Sequence, residues 1–512
     1  MSTQQQPIGG VSVDESGPVP AEPVNRLRAN SVGLMGVVFM AVATAAPITA
    51  MTGNLPIIVG SGNGLGGSAA YIFATIVLTI FSVGYVAMAK HITAAGAFYG
   101  FISHGLGRVA GMASGLLAVL AYVVFEASII GFFAYSLQNL ATDQLGLNLA
   151  WGWYALLGLL IIAVMGYFDI HLTAKVLGVA LVLEITVLAA GSLAVLFTGG
   201  GPDGLLTEAV NPLNAFKGVN GAGAGAAGLG LFFAFWSWVG FESTAMYGEE
   251  SRNPKKVVPR ATLISVVGVG LFYVFVSWMM ISAAGRAGAV KLAANDGMAL
   301  FFNPLGEHFG SWAVRVFQWL VVTGSFACAM AFHQCASRYL YAIGREGFIH
   351  PGLGRTHHKH GSPHIASIVQ SCIALAIVIA FLVGGMDPYV HMYGLLALLG
   401  TMAILIVQTL CSFAVIGYFH QQKKHPETAH WFRTLTAPLV GGVAMAGVVG
   451  LLVYNMDTAA GAASSTLLFT CIPYIVGLFF FGGIALALYM KNARPQRYAQ
   501  MGRIILEDAA ER

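Results

Sequence analysis

The sequence predicts an all-α polytopic membrane protein, and its composition, run lengths and placement of positive charge each point there. Apolar residues make up 57% of the 512 positions and charged residues 9%. A water-soluble chain of that length could not hide so much apolar surface. Runs of about 20 apolar residues, enough to cross a hydrocarbon core of about 30 Å, recur along almost the whole chain.

Twelve such runs are expected between charged loops. They lie near 32–59, 67–89, 109–138, 151–168, 172–198, 226–247, 260–284, 311–340, 364–384, 389–418, 436–455 and 464–490. Residues 1–30 are polar, rich in Gln, Pro and Glu, and carry no cleavable signal, so they read as a disordered cytoplasmic tail. Residues 31–490 form one membrane unit, and 491–512 a second cytoplasmic tail.

With the amino terminus inside, the inner segments hold 21 of the 25 Lys and Arg residues, leaving Lys217, Arg286, Lys291 and Arg315 outside. Positive charge stays on the cytoplasmic side, so both termini are expected there and the protein in the cell membrane. The net charge of +4 then reflects topology and not nucleic-acid binding. All five cysteines (Cys328, Cys335, Cys372, Cys411 and Cys471) fall within expected spans, which argues against a disulfide framework. Cys328 and Cys335 read as buried thiols packing as small apolar groups.

Two spans carry helix breakers that a simple hydrophobic span does not need. The first reads Ala43-Thr-Ala-Ala-Pro47-Ile-Thr-Ala-Met-Thr-Gly53-Asn-Leu-Pro56, and Pro47 interrupts the hydrogen-bond ladder of a helix continuing through it. The second, in the sixth span, is Val239-Gly240-Phe241-Glu242. These spans open two successive five-helix groups, about 32–198 and 226–418, followed by helices 11 and 12 at about 436–490. Interrupted helices at matching positions predict a 5+5 inverted repeat with a site where helices 1 and 6 unwind. Irregular backbone survives at membrane depth only where protein or a wet cavity satisfies it. Freed amides there can hold a carboxylate and freed carbonyls an ammonium or a cation, which together make a zwitterion site.

Several motifs in order carry a resemblance. Trp236-Ser-Trp-Val-Gly-Phe-Glu242 is similar to the sixth-helix run of arginine/agmatine exchangers. Glu249 to Thr262 resembles the continuation with an acidic pair, Asn-Pro, basic residues and Pro-Arg-Ala. Gly96, Phe98 and Tyr99, with Gly105 to Gly107, resemble the Gly-rich, aromatic entry to the third helix, and Ser337 to Gly347 with Pro363 the loop after the eighth. Over about 30–490 the chain thus resembles the amino acid, polyamine and organocation permease superfamily, whose amino acid permeases have a LeuT-like fold of twelve helices.

The resemblance implies substrate contacts from Thr44, Ala45, Ala46, Ile48 and Thr49 in helix 1, and from Trp236, Val239, Gly240 and Glu242 in helix 6. Trp236 aligns with the aromatic that closes over substrate, where an indole face attracts an ammonium; Trp238 reads as packing. The family often has Gly-Ser-Gly at the first break, whereas this chain has Ala45-Ala46-Pro47. Proline lacks an amide hydrogen. Either the amides of Ile48 and Thr49 take over, or the ligand is not a standard α-amino acid.

Glu184 aligns with a lysine found in many proton-dependent relatives, whose ammonium stands in for a sodium ion. At 1.5 Å per residue it lies roughly 18 Å deep, near the midplane. A charged carboxylate is costly there, so Glu184 is expected to be protonated or paired. Protonation from outside would favour closure of helix 1 against helix 5, and deprotonation would follow release inside. Glu126 in the third span is the second proton-coupling candidate, against the plainer role of cross-linking helices. His333 reads as a satisfied histidine or as a group titrating along an exit path.

His350, His357, His358, His360 and His364 lie in a basic inner loop and read as a solvated connection, with no metal. Gly221-Ala-Gly-Ala-Gly225 reads as an outer linker, since no Gly-Lys-Ser follows it. No arrangement of nucleophile, base and oxyanion donors appears, which argues against an enzyme. The expected function is import of an amino acid or related amine across the bilayer, with no cofactor. The driving ion is expected to be a proton, with sodium as the alternative. Obligatory exchange of amino acid or amine is the first alternative function. A membrane sensor is the weaker one, as no signalling domain is seen after residue 490. Acidic ligands are disfavoured by Glu126, Glu184 and Glu242 unless these are neutral.

Overall fold

The computed structural model describes residues 32–92, 97–167, 170–246, 251–357, 360–459 and 461–500. The expected amino-terminal tail, Gly96, the Glu249–Glu250 pair, His358 and residues 501–512 lie outside them.

A chain that meets lipid must satisfy its backbone N–H and C=O groups internally, and the apolar runs accordingly fold as helices. In order they are α1 (Leu34–Gly62), α2 (Gly64–Ala89), α3 (Arg108–Leu145), α4 (Trp151–Gly166), α5 (Ile170–Phe197) and α6 (Ala224–Trp236). The second set is α7 (Pro254–Asn295), α8 (Ser311–Arg345), α9 (His364–Val383), α10 (Pro388–Gln421), α11 (Trp431–Tyr454) and α12 (Leu467–Ala493). Among the described residues, ten runs are long and apolar enough to cross a membrane, and α4 and α6 are shorter apolar helices. The chain is a multi-pass membrane protein. The described residues contain no named strand, only two isolated bridges.

Position in the bundle follows from what each helix exposes. The most apolar window of α3 is 89% buried, whereas that of α12 is 22% buried. α3 packs along α8 and α10, and α1 lies against α5, α7 and α8. On α12, Leu467, Tyr474 and Phe481 stay exposed. Apolar side chains left outward in this way suit hydrocarbon and not water.

Both breaks are present, with details the sequence did not supply. α1 is interrupted at Ala46 alone, which adopts φ 43°, ψ 81°. Pro47 opens the next turn, at the first helical position, where its missing N–H leaves no bond unmade. The continuation contains two π-helical turns, Ala50–Asn54 and Ile58–Gly62. α6 ends at Trp236 and helix resumes only at Ser243–Met246, so the interruption begins at Ser237, two residues before Val239. α7 is longer at both ends than expected and bends at Gly285, where φ is 72°.

The start of α1 and the segment leading into α7 are tied on the face that carries the first and last described residues. Val32 bridges to Ser251, and the Arg252 amide donates to the Val32 carbonyl at 2.8 Å. On the same face the short helix Pro495–Gln500 docks, with the Arg108 guanidinium donating to the Ala499 carbonyl at 3.0 Å. This end is called the termini face below.

Candidate functional site

A helix end leaves carbonyls without intrahelical partners, and at the α1 break these are captured by side chains from other helices. The Tyr273 hydroxyl of α7 donates to the Ala45 carbonyl at 2.9 Å. The Cys328 thiol of α8 lies 3.4 Å from the Thr44 carbonyl. On the resumed side, the Ile48 amide is within reach of the Glu184 carboxyl on α5. Thr44, Ala45, Ala46, Ile48 and Thr49 are all buried. The Thr49 hydroxyl is buried with no hydrogen-bond partner among the described residues.

The α6 break is built around Gly240, whose φ of 119° is open to glycine and strained for other residues. A Cβ there would approach the Thr44 side chain to 2.5 Å, so the two breaks touch through this glycine. The Gly240 amide donates to Oε2 of Glu242 at 3.0 Å, and Tyr122 of α3 donates to Oε1 at 2.7 Å. Tyr85 of α2 donates to the Glu242 carbonyl at 3.0 Å. Glu242 thus holds the unwound turn closed and joins it to α3. Val239 is buried beside it, and the Ser243 hydroxyl is buried without a partner among the described residues.

Towards the opposite face an aromatic and amide network covers both breaks. The indole of Trp236 stacks between Phe125 of α3, at 4.1 Å, and Phe332 of α8, at 5.4 Å between centroids. Its N–H donates to the Tyr393 hydroxyl of α10 at 3.3 Å. Tyr393 donates to the Asn54 side-chain oxygen, and the Asn54 amide donates to the Ser237 hydroxyl at 2.8 Å. Tyr71 of α2 completes the group, 3.2 Å from the Ser237 hydroxyl. Trp238 is fully buried between Tyr71 and Tyr273, which agrees with a packing role.

The three intramembrane acids are separated by the fold. Glu184 is 2% exposed and lies against the resumed turn of α1 and Gly324 of α8, whose added Cβ would come within 2.7 Å of its Oε1. Glu242 belongs to the α6 turn. Glu126 turns away from both breaks towards α8 and α9, where His333 and Gln370 meet it. The described histidines of the loop before α9 gather closely, His357 lying 4.8 Å from His360 and 5.3 Å from His364 between ring centroids. Among the described residues no group of three His, Cys, Asp or Glu side chains is placed to hold a metal ion.

The two interrupted helices meet at buried, partly unpaired polar groups inside an apolar bundle. Residues 33–481 match the family model described as amino acid permease. The chain belongs to the amino acid permease family. The branched-chain amino acid permease BcaP of Lactococcus lactis subsp. cremoris (strain MG1363) is 22% identical over 446 residues, covering 84% of this chain and 87% of that protein. The branched-chain amino acid permease BcaP of Bacillus subtilis (strain 168) is 22% identical over 403 residues, covering 75% and 79%. The family consists of transporters, not enzymes, and the resemblance seen in the sequence is of the same kind.

Several residues that shape the two breaks carry no signal in the linear chain. Tyr273, Tyr122, Tyr393 and Cys328 sit inside ordinary apolar runs and meet the breaks only through packing. Asn54 was the one legible clue, being an amide within a membrane span.

Proposed function

We propose that this permease imports a neutral, aliphatic amino acid by alternating access of a twelve-helix, 5+5 inverted-repeat carrier, driven by one proton held at Glu184. The observation that carries the reading is the placement of that carboxyl, buried between the resumed turn of α1 and α8, where it meets both a substrate helix and the surrounding scaffold. A carboxyl that is neutral when protonated lets α1 close against α5, and its ionisation opens the seam because a buried charge needs water or a partner. The protein would sit in the cytoplasmic membrane with the termini face inside, as the distribution of Lys and Arg requires.

Substrate class is supported by the lining and by the relatives. Phe125, Trp236 and Phe332 stack beside the breaks and suit an aliphatic side chain, and both relatives are named as branched-chain amino acid permeases. The unpartnered hydroxyls of Thr49 and Ser243 and the amide of Thr49 are groups that an α-carboxylate would satisfy. The carbonyls of Thr44 and Ala45, now held by Cys328 and Tyr273, are acceptors for the α-ammonium. Glu242 keeps the α6 turn in shape while this happens.

The deciding experiment is uptake of labelled leucine, isoleucine and valine into sodium-free, initially empty proteoliposomes, acid outside and neutral inside. Accumulation that disappears when the pH gradient is collapsed supports proton symport. Uptake only after unlabelled amino acid is loaded inside establishes obligatory exchange instead.

A further inference from the structure

Four Lys and Arg residues are expected on the side of the membrane away from the termini face, and three of them share one groove. It has a volume of about 810 Å³ and is lined by Lys217, Arg286 and Lys291, with Glu208 the acid beside them. Its walls come from Gly60 to Gly66, where α1 gives way to α2, from the connection between α5 and α6, and from the part of α7 beyond its bend at Gly285. α7 begins beside the Val32–Ser251 tie, so this last part lies at the opposite face. A Cβ on Gly60 would come within 3.0 Å of the Ala294 amide nitrogen, and one on Gly66 within 2.5 Å of the Asn214 carbonyl oxygen. The three walls therefore meet backbone to backbone around the groove.

The charges around it do not cancel. The Arg286 main-chain amide donates to Asp203 at 2.6 Å and its Nε to Glu208 at 2.7 Å, so one residue engages both acids. That grip orients the guanidinium and leaves its two terminal nitrogens without a partner among the described residues. Lys217 and Lys291 likewise have no hydrogen bond or ion pair among the described residues. Three cations against two acids leave one positive charge, with unused donors to carry it. Membrane proteins keep such cations mostly on the cytoplasmic side, so their convergence on the far face is a departure that an anionic ligand explains.

We propose that this groove binds the phosphate group of an anionic ligand, with Arg286 as the oriented donor and Lys217 and Lys291 closing on it. A phosphate has more acceptor oxygens than the two of a carboxylate, and so serves a guanidinium and two ammonium groups together. Each lysine carries its ammonium on a flexible four-carbon stem, which lets both turn towards an oxyanion seated at Arg286. The groove also adjoins surface suited to lipid. On the short helix Pro212–Phe216, directly before Lys217, Leu213 is 72% and Phe216 50% exposed. Exposed apolar side chains next to a cation fit the boundary between hydrocarbon and headgroups, so a phospholipid is one source of the phosphate and a soluble phosphate the other. Because the walls belong to the resumed segment of α1 and to α7, a bound phosphate holds the far ends of these two helices together. The inference is independent of which amino acid is carried and of the ion that drives it.

The test uses full-length protein and compares wild type with the double variant Lys217→Gln/Lys291→Gln and with its charge-keeping counterpart Lys217→Arg/Lys291→Arg. In the first arm inorganic phosphate is titrated against Tm in dodecyl maltoside, which carries no phosphate, with acetate at equal ionic strength as the control. In the second, Tm is measured in nanodiscs of phosphatidylcholine with and without phosphatidylglycerol. Neither lysine has a partner to lose, so the three proteins are expected to share one Tm in detergent without added anion. A saturable rise in wild type with phosphate and not with acetate places recognition in the phosphate itself, whatever bears it. A rise with phosphatidylglycerol alone assigns the groove to a lipid headgroup. In whichever arm responds, the glutamine variant is expected to need about tenfold more anion, or more, for the same rise, since charge-assisted bonds are lost. The arginine variant is expected to follow wild type. No rise in either arm, an equal rise with acetate, or a rise that the glutamine variant keeps in full overturns the proposal, the last marking an adventitious ion only.

Discussion

The amide of Gly240 donates to the carboxylate of Glu242, two residues further on, at 3.0 Å. The bond closes the α6 break on itself, because a glycine at φ 119° leaves its N–H outside the helical ladder. The second carboxylate oxygen reaches Tyr122, so one acidic side chain both shapes the turn and fastens it to α3.

Gly240→Ala is therefore expected to abolish transport. A Cβ meets the Thr44 side chain, and an L-residue at this positive φ adds about 1–3 kcal/mol of strain. Leucine uptake should fall to background with a lowered Tm in detergent; normal uptake would mean that the breaks separate more than this conformation indicates.

Replacing Glu184 by Gln removes the ionisable group and keeps its shape. One proton moving down one pH unit is worth about 1.4 kcal/mol, or a tenfold concentration ratio. The expected result is that Glu184→Gln fails to hold that ratio and that its uptake rate no longer follows external pH between acid and neutral conditions. A variant that still concentrates leucine tenfold would place the coupling proton elsewhere.

Tyr273→Phe leaves the Ala45 carbonyl buried and without its donor, at a cost of about 1–3 kcal/mol. The present arrangement of the α1 break should lose stability, read as a drop in Tm without ligand. Saturating leucine should recover part of the difference if the ammonium takes the same carbonyl.

Trp236→Phe keeps an aromatic face between Phe125 and Phe332 but loses the N–H that reaches Tyr393. A lost hydrogen bond of this kind weakens the network by about 0.5–1.5 kcal/mol. Trp236→Ala empties a buried site, with a loss of about 3–5 kcal/mol. Leucine affinity measured by scintillation proximity should fall modestly in the first and severely in the second. Equal losses would show that the indole N–H, and not its ring, sets affinity.

Much of the architecture was legible because membrane helices announce themselves locally. A run of apolar residues long enough to span the bilayer has few alternatives to a helix, and Gly and Pro in the wrong place advertise a break. The positions of α1 and α6 and the burial of Glu184, Glu126 and Glu242 follow from that logic. Pro47 misled only in detail, since the break fell on Ala46 and proline served as the first residue of the resumed helix.

By itself, the sequence determined a multi-pass helical protein, the two interrupted helices and the acids that lie among apolar neighbours. All of these depend on contiguous residues and on the cost of exposing backbone or charge to lipid. Only the tertiary structure decided which carbonyl Tyr273 caps, that Glu242 folds back on Gly240, and that Glu126 pairs with His333, 207 positions away. Partners of this kind come from helices far apart in the chain, and an apolar run gives no sign of which of its faces will meet them. Helix packing selects them by requiring a partner for each buried polar group.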